Sequence, residues 1–121
     1  MSSYVFIISR DPKDKCELIS SGLAQALTAL SMDHGCSMFL VDDGVTLVKK
    51  GYLDGVKAKT YESLEMMLEN YKEMDGELYV CHPSADSRGL KKDDCVDAVD
   101  EFVNASKLIA QAGSAVAVIT Y

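Results

Sequence analysis

The stretch "YVFII", residues 4–8, decides how this chain folds. It is apolar at every position, and it is rich in aromatic and β-branched residues. A half-exposed strand alternates apolar and polar side chains; an unbroken apolar run belongs to a strand buried on both faces, as in a parallel sheet. Working outward, "RDPKDKCE" opens a helix. Asp14 and Glu17 have the spacing of a reciprocal cap, and Asp11-Pro12 offers an earlier start. Cys16, Ile19, Leu23, Leu27 and Leu30 continue at helical spacing, and His34-Gly35 ends the helix with a glycine able to take the left-handed conformation.

The same alternation repeats. "CSMFLV", residues 36–41, reads as a second strand with "DDGV" at its carboxyl end. Residues 45–56 are ambiguous between a short helix ending at Gly51 and irregular chain, and their apolar residues are a candidate interface. "VKAKT", residues 56–60, is compatible with a short strand. Residues 61–74 read as a helix with Thr60 as its cap, Tyr61, Leu64, Leu68 and Tyr71 on one face, and Asp75-Gly76 as its stop. "ELYVCH", residues 77–82, reads as a strand. Residues 92–102 and 104–112 read as helices, the second capped by Asn104 and ended by Gly113, and "SAVAVITY" as the last strand. Strands alternating with helices predict an α/β fold, a mostly parallel sheet with helices on both faces.

A chain of 121 residues predicts one domain, residues 1–121, with a sizeable core. The net charge of −7 repels phosphate backbones, so no nucleic-acid partner is expected and cationic protein surfaces are favoured instead. The opening "MSSYVFIISR" has neither the length of a membrane span nor the basic start of a signal peptide, so no membrane partner is expected. The four cysteines are widely spaced and form no C-x-x-C, which predicts free thiols in a reduced, cytoplasmic protein.

Ligands of open α/β sheets gather at the carboxyl ends of strands. Two segments fall there: Asp42-Asp43-Gly44, and Cys81 with the loop "HPSADSRGL". For Cys81 the residues leave two readings open, a working thiol or a small apolar residue at a strand end. His82 adjoins it, Arg88 is close enough in sequence to fold back, and a helix after Gly89 would aim amides at the loop. Asp42, Asp43 and Asp86 would oppose a thiolate if they pointed inward. Cys16, Cys36 and Cys95 read as structural, with Cys95 a candidate resolving partner. Cys81 and Arg88 are one residue too far apart for a cysteine-phosphatase loop. The two histidines and the scattered cysteines form no zinc pattern, no glycine-rich phosphate motif is present, and no metal or cofactor is expected.

The combination of "FLVDDGVTLVKKG", "LYVCHPSADSRGL" and the closing "LIAQAGSAVAVITY" resembles the DsrE/DsrF-like sulfur-relay proteins across nearly the whole chain. The resemblance implies a three-layer α/β/α domain with about five strands, flavodoxin-like in manner. It implies a homo-oligomer, trimer or hexamer, or a hetero-oligomer. It further implies that Cys81 carries sulfane sulfur as a persulfide between donor and acceptor proteins, with Asp43 and Gly44 lining the pocket and His82 and Arg88 favouring the anion. Relay members are expected to have smaller residues than His82 and Pro83 after the cysteine. A non-catalytic binding or assembly protein of the same fold is the alternative.

Overall fold

A computed structural model describes residues 3–121. Among them, five strands form one sheet: β1 (Ser3–Ile8), β2 (Gly35–Leu40), β3 (Glu77–Cys81), β4 (Glu101–Val103) and β5 (Ala117–Thr120). Their order is β4-β3-β2-β1-β5, and every pairing is parallel. The unbroken apolar run in β1 has the position it requires, between β2 and β5. Phe6 and Ile8 face one side of the sheet, Val5 and Ile7 the other.

The helices are α1 (Cys16–Ser31), α2 (Leu64–Glu73), α3 (His82–Ser87) and α4 (Ala105–Ser114). Their placement follows from strand order. The steps β1 to β2 to β3 to β4 all run in one direction, so right-handed crossovers put α1 and α2 on one face. The return from β4 to β5 crosses three strands the other way and carries α4 to the opposite face. The result is an α/β/α arrangement with unequal layers. Under α1 and α2 lies the main core, where Ile8, Ile19, Leu23, Met38, Leu40 and Leu78 are fully buried. Under α4 lies a small cluster of Val5, Phe39, Tyr79 and Val103, and α4 itself buries no residue.

The helix ends show how local chemistry fixes these elements. At the C-terminus of α1, Asp33 takes the left-handed conformation (φ 64°), with Asp33 N–H donating to the Leu30 carbonyl and His34 N–H to Ala29. The end of α2 repeats this with Asp75 (φ 66°), and that of α3 with Gly89 (φ 67°). These are Schellman closures, and aspartate tolerates the left-handed region well enough to replace glycine in two of them. Gly35, expected to supply that conformation, instead begins β2. Gly76 is needed for space: a Cβ there would lie 2.3 Å from the buried Tyr71 ring. Helix α2 starts later than its apolar pattern implies, because Ser63, not Thr60, accepts the cap hydrogen bond from Met66 N–H at 3.2 Å. Helix α1 starts after Lys15 with no side-chain cap, so the Asp14–Glu17 pair is not used. Asn104 stands at the cap position of α4 but makes no side-chain cap hydrogen bond.

Two expectations are corrected. Residues 92–102 are not a helix. A 3-10 turn at Lys92–Asp94 is followed by extended chain leading into β4. Asp100 is the cause: its N–H donates to the Leu78 carbonyl at 2.8 Å and its carboxylate accepts Leu78 N–H at 2.8 Å, which pins the chain to the edge of β3. Sheet pairing therefore overrides helix propensity. Most apolar residues of 45–56 are not exposed as expected either. Residues Asp42–Val48 form a 3-10 helix, and Val45, Leu47, Val48 and Leu53 are buried in the main core. Residues 56–60 contribute only an isolated bridge from Lys57 to Ser63. Among the described residues, no helix is long and apolar enough to cross a membrane.

Candidate functional site

Strands β2 and β3 are neighbours, with Leu40 opposite Val80, so the segments leaving their carboxyl ends lie side by side. The chain leaving β2 turns at Asp42, whose φ of 50° is left-handed, into the Asp42–Val48 helix. The chain leaving β3 passes directly from Cys81 into α3. Cys81 is both the last residue of β3 and the N-cap of α3, in an extended conformation. Pro83 fits the first turn of α3, where its missing N–H has no partner to lose.

Gly44 sets how tightly the two segments close on the sheet. A Cβ at Gly44 would sit 2.0 Å from the Ile8 carbonyl oxygen, so only glycine lets the Asp42–Val48 helix rest on the end of β1. Val41 N–H donates to that same carbonyl at 2.9 Å.

The contact that organises the site is made by Ser84, a residue that sequence reasoning missed. Its side chain is buried. Its Oγ accepts Asp42 N–H at 2.9 Å and donates to Cys81 Sγ at 3.2 Å. Because one lone pair is held by the Asp42 amide, the hydroxyl hydrogen is free to point at sulfur. The spacing contained the signal: a serine three residues after a cysteine at a helix N-cap lies within reach of it.

Arg88 is brought to the site but not to the sulfur. Its Nη2 and Nε donate to Asp43 Oδ1 at 2.9 and 3.2 Å, and its Nη1 donates to the Ser84 carbonyl and to Ser87 Oγ, both at 3.1 Å. Arg88 thus ties the carboxyl end of α3 to Asp43. Asp42 and Asp43 are both exposed rather than turned inward. The His82 ring packs edge-on to Phe102, 6.3 Å between centroids, and lines a cavity of about 410 Å³ beside β4 with Asp86, Leu90 and Lys91. The hydrogen bond to the Cys81 sulfur therefore comes from Ser84, where His82 and Arg88 were expected. After Gly89 comes only a three-residue 3-10 turn at Lys92–Asp94 before β4, and the helix that begins directly after Cys81 is α3.

The other thiols sit in different surroundings. All four cysteines are free. Cys36 is buried, and burial pushes its thiol up to about 12. Cys95 is buried in extended chain opposite Lys49, not in a helix, and its thiol donates to the Lys91 carbonyl at 3.5 Å. Burial first, and the Asp94 charge second, raise its pKa, which suits a packed thiol better than a resolving one. Cys16 is half-buried at the start of α1. Cys81 is half-buried and opens onto the carboxyl edge of the sheet. Among the described residues, no three His, Cys, Asp or Glu side chains lie close enough to hold one metal ion.

A strand-end cysteine with a serine donor thus lies at the carboxyl edge of an all-parallel α/β/α sheet. The model of the DsrE/DsrF-like family matches residues 2–121, and the chain belongs to that family. Two curated relatives are uncharacterized archaeal proteins. MK0008 of Methanopyrus kandleri is 33% identical over 78% of this chain and 74% of its own length. MJ0760 of Methanocaldococcus jannaschii is 30% identical over 73% of this chain, which spans 32% of that longer protein. Among solved structures, the ychN protein from E. coli matches with a TM-score of 0.83 at 23% identity, covering 100% of both chains. MTH1491 from Methanobacterium thermoautotrophicum, a protein of unknown function, matches at 0.72 and 15% identity, again over 100% of both chains. These likenesses establish the fold.

Proposed function

We propose that this protein carries sulfane sulfur on Cys81. The observation that supports this reading is the half-buried Cys81 at the carboxyl edge with the Ser84 hydroxyl directed at its sulfur. In sulfur exchange the thiolate is the nucleophile, and a cysteine at the sheet edge can be reached by a donor. In the loading step, the Cys81 thiolate attacks the outer sulfur of a donor persulfide, R–S–SH. The donor S–S bond breaks, R–S⁻ leaves, and Cys81–S–SH forms. In the unloading step, an acceptor thiolate attacks that outer sulfur and releases Cys81 as thiolate. One neutral sulfur atom moves in each step, and no electrons are gained or lost overall. Donor and acceptor are thiol proteins in a reducing, cytoplasmic setting.

Intact-mass spectrometry after incubation with a sulfane-sulfur donor tests this reading. The expected result is a gain of one sulfur mass that disappears in Cys81→Ser. Absence of the gain in the wild-type protein rejects sulfur carriage.

A second reading, assembly through the thin layer, is favoured by a separate observation. Ile109, Val116 and Val118 are 69%, 59% and 44% exposed around α4 and β5, where the sheet is incompletely covered. A homo-oligomer that packs these faces together would bury them. Sedimentation analysis tests this: Ile109→Lys should lower the assembled mass, and an unchanged mass would reject this face as the interface.

A further inference from the structure

A groove of about 520 Å³ lies on the thick side of the molecule, away from the residues around Cys81. Its floor is apolar: the half-buried Val96 and Ala98 before β4 lie beside the edges of the buried Leu47, Leu53 and, from α2, Leu68. Its rim is acidic. Glu65, Glu69 and Glu73 run along one side, and Asp54 and Asp97 complete the edge. Two lysines also line it. Lys72 is already engaged, donating to Asp100 at 2.5 Å and to the Gly76 carbonyl at 2.9 Å. That leaves Lys49 facing five carboxylates.

Glu65 stands in the first turn of α2, where the dipole favours it, but the row as a whole sets like charges side by side. Glu65, Glu69 and Glu73 are four residues apart, so each neighbouring pair repels on one helix face. Glu73 also stands in the last turn, where the helix dipole disfavours a carboxylate. Among the described residues the ion pairs are Lys72–Asp100 and Arg88–Asp43, and neither involves a rim carboxylate. The three glutamates extend along about 12 Å of helix, which suits a row of cations better than a single ion. No three acidic groups of the described residues converge as a metal site would need.

We propose that this groove docks a segment of a partner protein that presents two or three apolar side chains flanked by lysine or arginine. The apolar side chains fill the floor and the cations meet the glutamate row. A second copy of this chain packing its own groove here would set two rows of carboxylates against each other, so it is a poor occupant of this face. The proposal is independent of sulfur chemistry at Cys81.

The test uses a short labelled amphipathic peptide of leucine and lysine, titrated into isotope-labelled protein and followed by amide chemical shifts and by fluorescence anisotropy. Shifts should cluster at Leu47, Leu53, Leu68, Val96 and Ala98. Glu65→Lys combined with Glu69→Lys should weaken binding by about tenfold or more, whereas Asp14→Lys, outside the groove, should change it by less than about twofold. Four outcomes overturn the proposal: dispersed shifts, equal weakening by both charge reversals, equal binding of a leucine–glutamate peptide, or the same shift pattern with spermine alone, which would mark a small-cation site. Sulfur loading of the Glu65→Lys, Glu69→Lys protein should match the wild type, which separates a failure here from a failure at Cys81.

Discussion

Replacing Gly44 with alanine tests how the site is mounted on the sheet. The added Cβ would fall 2.0 Å from the Ile8 carbonyl oxygen and 2.7 Å from its carbon. Both atoms are backbone at the end of β1, and Ile8 is fully buried between β2 and β5, so the sheet cannot yield. The Asp42–Val48 helix must instead lift by at least about 1 Å to reach the 3.0 Å limit of real Cβ contacts. That movement stretches the Val41 N–H bond to Ile8 and loosens Val45, Leu47 and Val48 from the core. Overpacking that displaces backbone costs about 1–3 kcal/mol, and this case belongs at the upper end. For a domain of this size that lowers Tm by roughly 10 °C. Gly113→Ala in α4 is the control, since nothing lies within 4 Å of its Cβ position. There alanine should stabilise the helix by about 0.5 kcal/mol. Circular dichroism melts of the two variants should move in opposite directions. A Gly44→Ala melt within about 2 °C of wild type would refute the close-approach reasoning.

Native alkylation with iodoacetamide should modify Cys81 and, more slowly, Cys16, while the buried Cys36 and Cys95 react only after unfolding; peptide mapping that finds Cys36 labelled as fast as Cys81 would reject the burial pattern. Ser84→Ala should cost about 1 kcal/mol in a urea titration, because the Asp42 N–H loses the Ser84 Oγ that accepts it at 2.9 Å, and an unchanged midpoint removes Ser84 as the tie between the two strand-end segments. Tyr71→Phe should cost about 1–2 kcal/mol in a urea titration, because the Tyr71 hydroxyl donates to the Glu77 carbonyl at 2.6 Å and that acceptor would be left unpaired. Alkaline stability should fall between about pH 9 and pH 12. Burial raises the Cys36 thiol from 9.0 to about 12, so the unfolded chain ionises first, and the stabilisation present below pH 9 is lost as pH rises through the folded value. Cys36→Ala should flatten that decline relative to wild type, and an identical profile would assign it to other groups.

The fold was legible wherever apolar periodicity was strong. β1, β2 and β3 are buried enough for their apolar runs to declare them, and β5, though half-exposed, is declared by its β-branched residues. β4 was not legible. Three residues carry no period, and "EFV" becomes a strand only because Asp100 locks onto Leu78 from a distant part of the chain. The buried segment 45–56 was misread for a related reason. A 3-10 helix has neither the 2.0 nor the 3.6 period, so its apolar residues gave no sign of facing the core. At the site, the convergence of Asp43 with Arg88 followed from two loops at one sheet edge. The partner of the sulfur did not. Ser84 has an ordinary identity, and its role depends on the Asp42 amide orienting its hydroxyl, a contact across 42 residues.

Strand order also explains why the molecule offers different surfaces on its two sides. Four strands laid down in one direction stack α1, α2 and the 42–58 segment on a single face. That layer is thick enough to bury a full core and still leave a groove where its segments meet. The one return crossover supplies only α4 for the other face, too short to cover five strands, and Val116 and Val118 stay exposed beside it. Cys81 belongs to neither layer. It sits at the carboxyl edge, held by α3 and the Asp42–Val48 helix, and contributes nothing to the lining of the groove. The residues of the proposed sulfur site, of the proposed docking groove and of the exposed α4–β5 face are therefore separate. Cys81→Ser, the Glu65–Glu69 reversal and Ile109→Lys should each remove one property and spare the other two. Loss of two properties from a single one of these substitutions would mean that the layers communicate, which this packing gives no reason to expect.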